Sequence, residues 1–238
     1  MLALAAALGV GFALGANAWL SPHDPARGTD GRGARTLVVE GWLNEQGLEQ
    51  AVAAFRRGRY ERIVTTGGPI EPWIDRGGWG DFATRAAAYL RQHVPAGVPV
   101  VAVPAPDSAQ DRTYLTAVTL RDWAAQSHTE LGAIDLYSSG VHARRSRMLY
   151  RMALGPRVEV GVLAATPENF DAAHWWTTSA GTKTTLGEAL SVAWTACCFW
   201  PAAPGSHEER WAVPAAPPVP ASAPAPAPQP ATVSAPKP

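Results

Sequence analysis

The chain has 238 residues, twenty basic and twenty acidic side chains, and therefore a formal net charge of zero; 47% of its residues are hydrophobic and 17% charged. That length suits one domain of about 150–200 residues plus appendages. Balanced charge leaves no electrostatic footprint for a nucleic-acid partner, and two adjacent cysteines, Cys197 and Cys198, can build neither a disulfide framework nor a four-ligand zinc site.

Residues 1–20 carry no charged side chain. The run is about as long as a membrane-spanning helix needs to be, though its Ala and Gly content weakens insertion. As a signal peptide it would be cleaved after Ala16-x-Ala18; as a retained anchor it offers Gly11-x-x-x-Gly15 as a helix-pairing face. Arg27, Arg32 and Arg35 follow it, an order that by the positive-inside rule favours the cytoplasm. The expectation is delivery to the membrane through this segment, with the domain anchored in the inner membrane or exported to the periplasm. Residues 21–35 read as a Gly/Pro/Asp/Arg linker.

The core, residues 36–200, alternates strand and helix. Strands are expected at 37–40, 62–68, 98–103, 132–139 and 158–163. Helices are expected at 44–58, 81–93, 109–126 and 142–154, where apolar residues recur at helical spacing. Apolar runs without alternation suit strands covered on both faces. The fold class is α/β, a Rossmann-like three-layer sandwich with a mainly parallel sheet of about five strands. A last helix at 185–199 places Leu186, Leu190, Ala193, Trp194 and Cys197 on one face, expected to point inward, with Cys197 a buried packing thiol. A vicinal disulfide is the strained alternative. Residues 201–238 are dominated by Pro, Ala, Ser and Val and read as a disordered tail, either a wall-crossing spacer or a segment without selected function.

In an open parallel sheet, ligands bind beyond the carboxyl ends of the strands. The polar residues gather at that edge. Glu40 ends the first strand and Gly67-Gly68 the second. Asp107, Ser108, Asp111, Arg112 and Thr113 follow the third, and Ser138, Ser139, His142 and Arg145 follow the fourth. Each has a plain structural alternative: a solvated strand end, a tight turn, a helix cap, or an ion pair from Arg145 to Glu40 or Asp111. Four clusters at one edge point to a site. On the fourth helix Met148, Leu149, Met152 and Ala153 form the expected apolar face, with His142 and Arg145 on the same side and Arg144, Arg147 and Arg151 on a solvated stripe. Arg145 is the candidate for phosphate or carboxylate contact, with the Gly67-Gly68 amides, Ser108, Arg112, Thr113 and Ser139 beside it. Glu40 or Asp111 would serve as general base or metal ligand, and His142 as acid/base. A Ser-His-Asp hydrolase using Ser138 or Ser139 lacks a nucleophile elbow. No G-x-G-x-x-G fingerprint supports a dinucleotide.

The glycine pair after the second strand, Ser108-x-x-x-x-Thr113 and Ser138-Ser139-Gly-x-His142-x-x-Arg145 together resemble the YdcF/SanA/ElyC family, an envelope-associated domain of unknown function. The resemblance spans residues 36–163. Many members follow the Thr with Glu-Asn, where this chain has Leu115-Thr116. The resemblance implies the same α/β sandwich, membrane association, and a role in peptidoglycan or envelope maintenance. Implied partners are cell-wall precursors, and S-adenosylmethionine is an implied cofactor, since one branch is described as binding it. Three functions follow as expectations: an enzyme acting on a nucleotide- or polyprenyl-linked phosphate substrate, a non-catalytic S-adenosylmethionine or nucleotide module, and an envelope scaffold.

Overall fold

The computed structural model describes residues 2–28, 30–108 and 110–210, without side-chain detail for residues 2–10. Helix α1 (Leu2–Leu20) leads into a short strand β1 (His23–Asp24). Then come β2 (Thr36–Glu40), α2 (Glu45–Arg57), β3 (Arg62–Gly67), α3 (Phe82–His93), β4 (Val100–Pro104), α4 (Arg112–Gln126) and β5 (Ala133–Ser139). A 3-10 turn (Gly140–His142) joins β5 to α5 (Ala143–Leu154), followed by β6 (Glu159–Ala165), a second 3-10 segment (Ala172–Thr177), α6 (Ser179–Cys198) and α7 (His207–Arg210).

The sheet order is β1-β6-β5-β2-β3-β4, with all neighbours parallel except β1 on β6. The architecture is the three-layer α/β sandwich expected, with one strand more. β2 is central because the chain builds outward through β3 and β4, then returns to lay β5 and β6 on the other side. The crevice between outward and returning halves opens at the carboxyl ends of β2 and β5.

Strand alternation divides the core. Val38, Val64, Ile134, Leu136, Val160 and Val162 pack under α4 and α5 against Val118, Leu120, Leu149 and Tyr150. Leu37, Val39, Ile63 and Leu163 pack under α2 and α3 against Leu48, Phe55, Ala86 and Leu90. Both faces are therefore covered, which is why the strands read as unbroken apolar runs. Asn44 and Asp81 cap α2 and α3 by accepting from Gly47 N and Thr84 N.

Four local expectations change. First, part of residues 21–35 is structured: β1 adds an antiparallel edge to β6, and Asp135 in β5 accepts from Ala26 N (2.7 Å) and Tyr60 Oη (2.7 Å). Glu159 accepts from Arg27 N and Gly28 N. Second, folded structure continues past residue 200. Glu209 of α7 is buried and accepts from Arg121 Nη1 (2.7 Å) and Nη2 (2.9 Å), fastening the end to α4. Residues 211–238 of the Pro/Ala segment lie outside the described residues. Third, α5 turns Ala143, Ser146, Leu149, Tyr150 and Ala153 inward, while Met152 is exposed. The inward stripe is rotated toward Ser146 because that hydroxyl has a buried partner, Glu40. On the expected solvated stripe, Arg147 pairs with Asp24 (2.7 Å) and Arg144 donates to Trp19 O (2.5 Å) and stacks on the Trp19 ring. Of the three, only Arg151 is exposed.

The fourth correction concerns α6, which begins six residues earlier than expected and is turned the opposite way. Its buried residues are Gly181, Thr185, Val192 and Thr195. Leu190 is 73% exposed and Trp194 51%, and Leu186, Ala193 and Cys197 share that outer side. Cys197 is not a buried thiol: it is joined to Cys198 in a vicinal disulfide at the exposed end of the helix. Where α1 meets the domain, Leu20 packs on Val141 and Val192, and Trp175 donates to Ala13 O and meets Phe12 edge-on.

Gly161 in β6 tests the seating of the N-terminal segment. A Cβ there would collide with Ala26 N, Asp135 Oδ1 and the Pro25 carbonyl carbon. Gly161→Ala is expected to destabilise by about 1–3 kcal/mol, as overpacking does. Gly187→Ala, on the open face of α6 with nothing near its Cβ, should instead stabilise by about 0.5–1 kcal/mol. Urea unfolding of the two variants checks the opposite signs.

Candidate functional site

Beyond the carboxyl ends of β2, β3 and β4 lies a cavity of about 640 Å³. Its floor is the end of β2. Glu40 is buried, with Ser138 Oγ donating to Oε2 (2.5 Å) and Ser146 Oγ donating to Oε1 (2.8 Å). Two hydroxyl donors offset part of the desolvation cost of a buried carboxyl group. No cation bonds it among the described residues. Below, Tyr150 Oη and Thr66 Oγ1 lie 2.8 Å apart, and Thr116 is a further partner. Burial, then the nearby Glu40 charge, push the Tyr150 hydroxyl well above its ordinary value, so it remains a protonated donor.

One wall is the turn after β3. Gly67 has a steric role: a Cβ would stand 2.8 Å from Phe82 Cβ, because α3 starts against this strand end. Gly68 has none, since the nearest atom to its Cβ position is Pro106 O at 4.0 Å. The opposite wall is the start of α4. Asp111 precedes it with φ 52° and ψ 35° and makes no side-chain cap bond. The Asp111 side chain therefore leaves the first N–H groups of α4, beginning with Arg112 and Thr113, uncapped. Arg112 is exposed and has no ion pair among the described residues, whereas Arg145, Arg121 and Arg147 are paired. The N-cap position of α4 is Asp111 and not Asp107 or Ser108. Asp107 accepts from Ser108 N, and Ser108 Oγ donates to Gln110 O.

The rim on the β5 side is a charged cluster. Glu188 of α6 accepts from Arg145 Nε at Oε2 (2.8 Å) and Arg145 Nη2 at Oε1 (3.0 Å), and meets His142 Nδ1 at 2.9 Å. Burial would raise the Glu188 carboxyl, but His142 and Arg145, through hydrogen bonds and charge, outweigh it and hold it down at about 2. Arg145 Nη2 also lies 2.9 Å from His142 Nδ1. That nitrogen cannot donate to Glu188 and accept from Arg145 at once; donation to the carboxylate is the better pairing. Trp42 meets the His142 ring edge-on at 5.1 Å. Trp42, His142 and Glu188 divide this cavity from a second, about 550 Å³, beyond β5 and β6.

Of the sequence-predicted residues, Glu40, Gly67, Gly68, Ser108, Arg112, Thr113 and His142 line the main cavity. Ser139 lines the second cavity. Asp111 and Arg145 line an adjoining groove reached past Arg112 and Thr113. Burial pushes the Asp111 carboxyl up. Arg145, the candidate for ligand contact, is ion-paired, and its partner is Glu188 and not Glu40 or Asp111. Ser138 bonds Glu40, with no histidine on it among the described residues, so no Ser-His-Asp arrangement forms. Glu188 carries no sequence signal, because an inward apolar face of α6 would turn it outward, whereas the helix is seated the opposite way. Ser146 was legible only as the one small polar residue on the α5 face that turns to the sheet. Among the described residues no group of three or more His, Cys, Asp or Glu side chains gathers to hold a metal.

No family model, curated protein or solved structure matches this chain.

Lowering the Glu188 carboxyl from its ordinary 4.5 to about 2 is a stability contribution. A depressed carboxylate contributes fully above the ordinary value, and the contribution is lost as pH falls from 4.5 through 2. Glu188→Gln is expected to cost about 2 kcal/mol at pH 7, after discounting for partial exposure. The gap between variant and parent should close on acidification through that window. Denaturant unfolding of both at pH 7, 4.5, 3 and 2 checks it.

Proposed function

We propose that the strand-edge cavity binds a phosphate-bearing ligand, nucleotide- or polyprenyl-linked, and that the chain is a membrane-delivered, envelope-associated protein acting on it. The observation that carries this reading is what one cavity brings together. Arg112 and the start of α4, which Asp111 leaves uncapped, stand opposite the open Gly68 backbone. Floor and rim supply a buried carboxyl, Glu40, and a histidine tied through Nδ1 to a carboxylate. Unpaired helix N–H groups and an arginine favour an anion. A histidine oriented through Nδ1 keeps Nε2 for proton exchange.

In this reading Arg112, not the Glu188-paired Arg145, makes the main contact with the phosphate. Glu40 is the general base, since Asp111 faces the adjoining groove. His142 is the acid/base partner, positioned by Glu188. The resemblance to the YdcF/SanA/ElyC family is carried forward as part of the proposal, and with it cell-envelope substrates. Among the described residues no helix is long and apolar enough to cross a membrane. Membrane delivery rests on the uncharged residues 1–20 and on Phe12, Leu14 and Trp19, which stand exposed where α1 leaves the domain. Recovery of the full chain in the soluble cytosolic fraction would end that part of the reading.

Thermal unfolding of the full chain with nucleotide sugars, polyprenyl phosphate analogues and S-adenosylmethionine tests the site. A ligand at about 100 times its Kd should stabilise by about 2.7 kcal/mol. Arg112→Ala is expected to weaken a phosphate ligand by about tenfold, near 1.4 kcal/mol, while Glu40→Gln keeps binding and loses turnover. A shift with S-adenosylmethionine alone, or one indifferent to Arg112→Ala, would overturn the phosphate assignment.

A further inference from the structure

The outer face of α6 is apolar where a helix on a globular domain is ordinarily polar. Leu186, Leu190, Ala193 and Trp194 point outward, and its only acidic residue, Glu188, points in. Exposed large apolar residues in one contiguous patch mark an interaction surface. This patch has a direction. The main cavity shares Arg112 and Thr113 with an adjoining groove of about 510 Å³, which Leu149, Leu190 and Trp194 line together with the polar Arg145, Ser191 and Thr195. That groove in turn shares Asp111 and Trp194 with an aromatic cleft of about 450 Å³ between Tyr114, Phe199 and Trp200. Phe199 contacts both Tyr114 (5.1 Å) and Trp194 (5.7 Å), so the rings form one continuous surface. Trp200 at its end is 83% exposed.

Cationic and amide groups thus stand at one end, and a surface of exposed Leu190, Trp194 and Trp200 lies beyond them. A long apolar chain gains by covering it, at about 25 cal/mol per Å² of apolar surface. Resting on the phosphate reading above, we propose that the ligand is a single-chain lipid phosphate. Its head group lies at Arg112 and the α4 N-terminus, and its chain runs along Leu190, Trp194 and Trp200. The charge at one end and the exposed Leu190, Trp194 and Trp200 beyond it match the two ends of an amphiphile.

The test is calorimetric titration of the full chain in a neutral detergent, with empty-micelle titrations subtracted. The probes are glycerol phosphate, geranyl, farnesyl and geranylgeranyl monophosphate, and geranylgeraniol. Affinity should rise at least about tenfold from geranyl to geranylgeranyl monophosphate, as added buried methylenes require. Leu190→Asp/Trp194→Asp should abolish that rise and leave glycerol phosphate binding unchanged. Both side chains are exposed, so folding is expected to survive; Trp200→Ala, further from the core, should remove part of the same rise. Arg112→Ala should weaken every phosphate and leave geranylgeraniol unaffected. Equal affinity for glycerol phosphate and geranylgeranyl monophosphate, still dependent on Arg112, would overturn the lipid assignment and leave the phosphate site standing. A chain-length gain that survives Leu190→Asp/Trp194→Asp would also overturn it. Chain-length dependence without any effect of Arg112→Ala would instead sink the phosphate reading beneath it.

Discussion

The ion cluster of Glu188, Arg145 and His142 decides how the outer half of the molecule is arranged. A carboxylate and a guanidinium about four-fifths buried must meet each other, because removing one partner of such a pair strands the charge of the other. The helix bearing Glu188 therefore turns that residue toward α5. Thr185, Val192 and Thr195 lie on the same side of the helix and follow it inward. Leu186, Leu190 and Trp194 lie opposite and are forced out. Burying any one of them would be worth about 1.5–3 kcal/mol. The observed orientation thus leaves three apolar side chains in the open and takes Thr185 and Thr195 inward, and what it gains in return is the ion cluster and the packing of Val192. The electrostatic constraint and the exposed apolar face are one fact seen from two sides.

The same reasoning separates the two carboxyl groups of the site. Glu188 is matched by cations and is held ionised far below neutral pH. Glu40 is matched by neutral serine hydroxyls. A group tied into a bidentate ion pair is poorly placed to take a proton from a ligand, whereas one held by two weaker donors at a cavity floor can exchange them. His142 stands between: its Nδ1 belongs to the cluster, its ring to the cavity wall. Positioning and chemistry fall to different residues because their partners differ in charge.

The sheet was legible because it is written in local patterns. Val38, Val64, Leu136 and Val162 sit in runs that read as strands by composition alone, and caps at Asn44 and Asp81 mark helix starts within a residue. The edge residues Glu40, Gly67-Gly68, Arg112 and His142 followed from the rule that strands of a parallel sheet end at the ligand. What failed was everything decided by long-range partners. Nothing near Glu188 announces that Arg145, forty-three residues earlier, will claim it. Periodicity locates the apolar stripe of α6 correctly and says nothing of which stripe faces the domain. Likewise β1 is two residues long, and its anchor, Asp135, is 109 residues away from Ala26.

These long-range partners come from the two ends of the chain. α1 and β1 precede the alternating strand–helix core, α6 and α7 follow it, and they close over the side that carries α5. Leu20 of α1 and Val192 of α6 meet on Val141, two residues before α5 begins. Arg144 stacks on Trp19 in the same place. The core supplies the floor of the cavity, but the rim carboxylate and the apolar track leading out of it belong to α6. A chain reduced to residues 36–163 would keep Glu40 and the parallel strands up to the end of β6, and lose β1 and Glu188, leaving Arg145 and His142 without their carboxylate. The segment joined last to the sheet sets the state of the first residues of α5, so the flanking segments are part of the site and not appendages to it.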